Sequence, residues 1–117
     1  MSKVSKHFYT SEFKCPCCEH VKVNRRLVQA LEQLRARCGG MPITITSGYR
    51  CPERNEFVGG ADDSQHLRGN AADIQVARHT PEQVVAIAKT IPAFRNGGIG
   101  EYLDFVHVDV RRWRARW

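Results

Sequence analysis

At 117 residues and 13.3 kDa, the chain is long enough for one domain (1–117) with a single modest core and too short for two. Hydrophobic residues make up 42% and charged residues 26%, ordinary for a soluble globular protein, and no apolar run approaches the roughly 18 to 20 residues of a bilayer span. A net charge of +6 and a pI near 9.4 favour polyanionic partners (nucleic acid, acidic lipid surfaces, acidic wall polymers) without choosing among them.

The N-terminus M-S-K-V-S-K-H-F-Y-T carries lysines but no apolar stretch after them, so a standard secretory signal is not expected and synthesis in the cytoplasm is. Residues 11–13 lead into a cysteine knuckle, a compact, irregular cap. Cys15, Cys17 and Cys18, with His20 just beyond, invite a metal-site reading. However, C-x-C-C lacks the two-residue spacer of a zinc ribbon and no second C-x-x-C follows. One disulfide or plain buried thiols is the preferred reading of the five cysteines, which include Cys38 and Cys51.

From Asn24, a plausible N-cap, apolar residues at 27, 28, 31 and 34 give helical spacing, and Gly39 and Gly40 close the helix. After Pro42, I-T-I-T-S alternates apolar and hydroxyl side chains and predicts a half-buried strand that delivers Ser47, Gly48, Tyr49 and Arg50 to its end. Residues 51–58 predict a short helix with Pro52 in its first turn, and residues 59–63 a flexible approach loop.

Then comes S-Q-H-L-R-G-N-A-A-D, residues 64–73, which sets His66 and Asp73 seven residues apart with small residues between them. Residues 71–76 predict a second strand, with Asp73 and Gln75 on one face and Ile74 and Val76 on the other. Thr80 caps a second amphipathic helix, with Pro81 at its first position and its end marked by Pro92. Residues 95–100 predict a turn-rich entry to a last strand pair, 99–102 and 105–110. On the latter, Phe105, His107 and Asp109 share one face and Val106, Val108 and Val110 the other. Helices beside a small antiparallel sheet make an α+β domain. The tail R-R-W-R-A-R-W reads either as a polyanion-binding end or as a solvated basic end with Trp113 and Trp117 folded onto the core.

A catalytic zinc site uses three His, Cys or carboxylate ligands and keeps the fourth position for water. His66, Asp73 and His107 supply such a set, although the same donors accept other divalent first-row ions. Asp109 is placed to orient a ligand imidazole or the nearby arginine. Asp104 is the candidate general base, and Arg50 a planar cation for a carboxylate or an oxyanion. The parts suffice for metal-assisted amide hydrolysis. A nucleic-acid-binding module using the knuckle and the tail gives no reason for central carboxylates, which repel phosphate.

S-x-H-x-x-G-x-A-x-D (Ser64, His66, Gly69, Ala71, Asp73), D-x-x-H (Asp104, His107) and S-G-Y-R (47–50) together resemble the zinc D-alanyl-D-alanine peptidase family. That family includes D,D-carboxypeptidases, vancomycin-resistance D,D-dipeptidases and the L-alanyl-D-glutamate endopeptidases of phage endolysins, and it shares its fold with the hedgehog signalling domain. The resemblance implies one catalytic zinc on His66, Asp73 and His107, Asp104 as acid or base and Arg50 as the substrate or oxyanion arginine. Ser64 and Gln65 shape the ligand loop. Some carboxypeptidase members carry a histidine where this chain has Tyr102, a residue able to donate a hydrogen bond but not to act as an imidazolium.

The expectation is therefore a small endolysin-type peptidase that hydrolyses peptidoglycan stem peptides at the L-alanyl-D-glutamate bond, with D-alanyl-D-alanine cleavage second. A zinc-bound but non-catalytic recognition domain is the alternative of another class. The expected partner is the wall peptide, with no nucleic acid and no membrane span. A monomer released to the wall through a holin-type pore fits this expectation.

Overall fold

The structure, a computed structural model, describes residues 2–117. Four helices and five strands follow in the order α1 (Arg25–Arg37), β1 (Ile43–Ser47), α2 (Pro52–Phe57), β2 (Ala71–Val76), α3 (Pro81–Ala88), α4 (Pro92–Arg95), β3 (Gly98–Glu101), β4 (Val106–Asp109) and β5 (Ala115–Arg116). Short 3-10 turns at Thr10–Phe13 and Gln65–Arg68 complete the chain. Among the described residues no helix is long and apolar enough to cross a membrane.

The local signals act as expected. The Asn24 side chain accepts from the Arg26 N–H at 2.8 Å to start α1, and Gly39 and Gly40 take positive φ at its end, where the Gly40 N–H reaches the Arg35 carbonyl at 2.9 Å. Thr80 and Gln83 form a reciprocal capping box at α3 with Pro81 in the first turn. Pro92 does more than end that helix. It starts α4, so part of the segment expected to be turn-rich is helical before β3 begins.

The sheet order is β1-β2-β4-β3-β5. Its first four strands are antiparallel, and β5 joins the far edge parallel to β3, which makes the sheet mixed in an α+β domain. Ile74, Val106, Val108 and Ile99 are buried on one face, in the same cluster as Leu27, Leu31 and Leu34 of α1 and Val84, Ala88 and Phe94 of the later helices. Side chains alternate along a strand, so the residues between these emerge on the opposite face. That face carries Asp73, His107 and Asp109, with Asp73 opposite His107 and Ala71 opposite Asp109 in the β2–β4 ladder.

Gly69 ends the 3-10 turn that carries His66. Its φ is +70°, and a Cβ there would lie 2.6 Å from the Lys22 carbonyl oxygen. A left-handed non-glycine costs about 1–2 kcal/mol and an overpacked contact about 1–3 kcal/mol more. Gly69→Ala is therefore expected to destabilise the fold by roughly 2–4 kcal/mol, read as a Tm lowered by roughly 10 °C in a thermal melt. An unchanged melt would show that Lys22 yields freely.

Candidate active site

The three expected ligands arrive on two kinds of support. Asp73 and His107 are cross-strand partners at the middle of the sheet, fixed by the ladder that buries Ile74 and Val106 behind them. His66 comes from the 3-10 turn before β2, whose first N–H groups are met by the Ser64 hydroxyl, 3.2 Å from the His66 N–H. Gln65 is buried and accepts from the Asn70 side chain at 3.0 Å, tying both ends of that turn. Ser64 and Gln65 thus shape the loop.

One donor atom from each of His66, Asp73 and His107 lies within 4.8 Å of the others. His66 Nε2 stands 3.2 Å and His107 Nδ1 3.1 Å from the same oxygen, Asp73 Oδ1. All three residues are buried. The outer nitrogens are occupied: His66 Nδ1 donates to the Gly48 carbonyl at 2.7 Å, and His107 Nε2 donates to Asp109 Oδ2 at 2.7 Å. Neither acceptor carries a proton, so each ring places its N–H outward and a lone pair inward.

Two nitrogen lone pairs and a carboxylate oxygen therefore face one point, an arrangement that repels itself unless a cation sits there. With no cation at that point, the imidazoles can meet Asp73 only by taking up protons and donating to it. Burial alone would push the Asp73 carboxyl up, yet the hydrogen bonds of His107 and His66 hold it well below the usual carboxylate range. Burial pulls the His107 imidazole down, but hydrogen bonds to Asp109 and Asp73 more than offset this and raise it. Two imidazoles and one carboxylate with both outer nitrogens tethered is a donor set that fits a zinc ion with one position left open.

Asp109 is fully buried and holds more than His107. Its Oδ1 accepts from the Gly98 N–H at 2.9 Å and the Arg111 N–H at 3.1 Å, and the Arg111 guanidinium grips both oxygens, at 2.9 Å (Nε to Oδ1) and 2.7 Å (Nη2 to Oδ2). Both expected partners, imidazole and arginine, are engaged at once. A Cβ at Gly98 would fall inside this carboxylate. Burial opposes the charge on Asp109, but the hydrogen bonds from His107 and Arg111 prevail and its carboxyl is held well below the usual range. Asp109→Asn leaves the packing but weakens the hold on His107. Metal affinity measured by chelator competition is expected to fall about 10- to 100-fold, and unchanged affinity would remove Asp109 from that role.

Arg50 donates to Asp73 Oδ2 at 3.2 Å, to Ser47 Oγ at 3.2 Å and to Asn55 Oδ1 at 3.3 Å. It fixes the outer oxygen of the carboxylate while lining a cavity of about 600 Å³ that also contains His66, Asp73, His107, Ser64, Gln65 and Tyr102. Asp104 lies in the exposed β3–β4 turn. Its backbone carbonyl accepts from Gln75 Nε2 at 2.9 Å, while its neighbours Tyr102 and Phe105, rather than Asp104 itself, line the cavity.

The tail supplies what the sequence reading missed. Trp117 and Trp113 are not folded onto the core, being 48% and 58% exposed, and both line the cavity. The Trp117 ring lies 4.8 Å from the His107 ring, its Nε1 donates to the Tyr102 hydroxyl at 2.7 Å, and Arg111 stacks between the two indoles at 5.2 and 5.4 Å. Parallel pairing of β5 with β3 is what brings this tail back across the site. The alternation of Arg and Trp in R-R-W-R-A-R-W was the available signal. Asp63 on the approach loop is a further carboxylate on the cavity wall.

The Peptidase M15 family profile matches residues 6–109. The chain is 35% identical over 96 residues to the zinc D-Ala-D-Ala carboxypeptidase of Streptomyces albus G, covering 73% of this chain and 35% of that one. It is 29% identical over 106 residues to the probable peptidoglycan L,D-endopeptidase MepK of Haemophilus influenzae, covering 80% of this chain and 55% of that one. The chain thus spans about a third and about half of the lengths of these two relatives. With the profile running through both strand-borne donors and the turn that carries His66, the chain belongs to the peptidase M15 family.

Proposed function

We propose that the protein is a zinc-dependent peptidase that hydrolyses peptidoglycan stem peptides, with the L-alanyl-D-glutamate bond as its target. The observation that carries this reading is the buried, cation-demanding trio of His66, Asp73 and His107 at the floor of an open cavity. The relatives add the substrate class, one being named for a D,D-carboxypeptidase and the other for a peptidoglycan endopeptidase.

A zinc ion held by His66, Asp73 and His107 would supply Lewis acidity, enough to make water a nucleophile near neutral pH. The chain's own residues do the rest. Asp104, in the exposed turn whose Tyr102 and Phe105 line the cavity, is assigned to take the proton from the attacking water and return it to the leaving amine. Arg50 donates to Asp73 and orients it, and its guanidinium is the cation assigned to developing negative charge on the substrate. Tyr102, Trp113, Trp117 and Val58 form an exposed, largely apolar rim along which a short peptide lies.

Both candidate bonds place a D-residue with a free α-carboxylate on the leaving side, so that group does not separate them. What separates them is the continuation: D-glutamate extends through its side chain, whereas a terminal D-alanine stops. The cations on the cavity wall, Arg50 and Arg111, are each already paired with an aspartate, which favours a chain running through over a terminus clamped in place. Tyr102 in place of a histidine points the same way. Digestion of purified sacculi followed by identification of the new amine terminus tests this. A free D-glutamate amine supports the assignment, and released D-alanine overturns it in favour of D,D-cleavage. This activity fits a lytic, endolysin-type role at the cell wall.

A further inference from the structure

We propose that Cys15, Cys17, Cys18 and Cys51 bind a second zinc ion, structural rather than catalytic. The proposal stands apart from the reading of the His-Asp-His site and uses none of its residues.

No disulfide forms among the cysteines, which leaves free thiols of the two expected alternatives. Four of the five instead gather at one point, and the fifth, Cys38, lies alone in the main core as a plain buried thiol. The odd number thus resolves as four and one. Sγ of Cys15 lies 3.5 Å from that of Cys17 and 3.6 Å from that of Cys51, and Cys17 and Cys51 are 3.2 Å apart. Sulfur atoms from all four fall within 4.8 Å of one another. Four thiolates at about 2.3 Å around one tetrahedral zinc stand about 3.8 Å apart, so the cluster needs only slight expansion to close on an ion. Disulfide chemistry joins sulfurs in pairs. Here Cys15, Cys17 and Cys51 each touch both of the others, as donors sharing one centre do. Sulfurs this close leave room for a single ion and not for a multi-iron cluster, and an all-sulfur tetrahedral set selects a soft or borderline ion such as zinc.

Two further observations bear on the site. Backbone N–H groups already point at its sulfurs: Cys51 N–H to Cys15 Sγ at 3.5 Å and Arg54 N–H to Cys51 Sγ at 3.4 Å, contacts that favour thiolate. The knuckle is also wound tightly, with Cys15 N–H bonded to the His20 carbonyl, Glu19 N–H to the Cys15 carbonyl, and Glu19 at φ +62°, a conformation unusual for a residue with a side chain. What the knuckle packs on is slight. Cys15, Cys51 and Tyr49 form a small cluster separate from the main core, with Cys18 at its margin, and Tyr49 is its one large side chain. Burial of that size contributes too little to hold a strained loop, and a metal supplies the missing free energy.

The ion joins residues 15–18 to the segment that follows β1. That segment carries the Gly48 carbonyl, which orients His66, and Arg50, which holds Asp73. The second site therefore braces the first from outside.

The test counts ions in the full chain purified with a thiol reductant and excess zinc removed. Two zinc ions per wild-type chain are expected, and one in the His66→Ala/His107→Ala double variant. Zinc-edge X-ray absorption of that double variant should then show an all-sulfur shell at about 2.3 Å. Cys17→Ser/Cys18→Ser should lose one equivalent. Should it fail to fold, the histidine variant still decides the matter. A single wild-type zinc that survives in the histidine variant supports the cysteine site and sinks the His-Asp-His reading instead. A zinc-free histidine variant or a shell of nitrogen or oxygen overturns the proposal.

Discussion

His107→Ala is expected to abolish hydrolysis of muropeptides, with turnover falling at least roughly 10³-fold, because Lewis-acid assistance contributes several kcal/mol and each 1.36 kcal/mol is about tenfold in rate. The substitution removes one of three donors whose lone pairs meet at Asp73 Oδ1, and it leaves Asp109 still held by Arg111 and the Gly98 N–H. The fold therefore has reason to survive, which circular dichroism checks. Chelation of the wild-type protein should reproduce the loss, and added zinc should restore it. A folded His107→Ala protein with wild-type turnover would show that hydrolysis does not run through this centre.

Asp104→Asn is the second large effect, and of another kind. Metal content should stay at the wild-type level, since Asp104 lies outside the donor set, while kcat falls about 10²- to 10⁴-fold through loss of general-base help. The same variant separates a peptidase from a recognition domain, which would have no turnover to lose. Asp63→Asn is the necessary companion, because Asp63 lines the cavity and lies outside the donor trio. Unaffected turnover in Asp104→Asn, with a fall in Asp63→Asn, reassigns the proton transfer to the approach loop.

What the sequence disclosed and what it hid divide along physical lines. The caps at Asn24 and Thr80, the apolar spacing of α1 and the alternation of β1, β2 and β4 are local signals, and each produced its element. His66, Asp73 and His107 were legible because residue type and strand alternation together put them on one face. Strand β5 was not, since two residues cannot show a period, and its pairing with β3 is parallel and long-range. For the same reason Trp117 was read as tail rather than as a neighbour of His107. The cysteine cluster escaped because its fourth member stands beyond a helix and a strand, at Cys51, and three cysteines in C-x-C-C resemble no ribbon. Asp104 falls in the exposed turn between β3 and β4, where strand alternation does not fix which way a side chain faces.

The direct pairing of Asp73 with His107 across β2 and β4 makes the cation a proofreader of folding. A slip of one residue on either strand turns a donor into the apolar layer and brings an aliphatic side chain out in its place. Only the correctly aligned strand pair captures an ion, and capture at a hundredfold excess over Kd adds about 2.7 kcal/mol that every misaligned alternative forgoes. The chemistry that would cut the substrate thus also adds to the preference for the one ladder able to cut it.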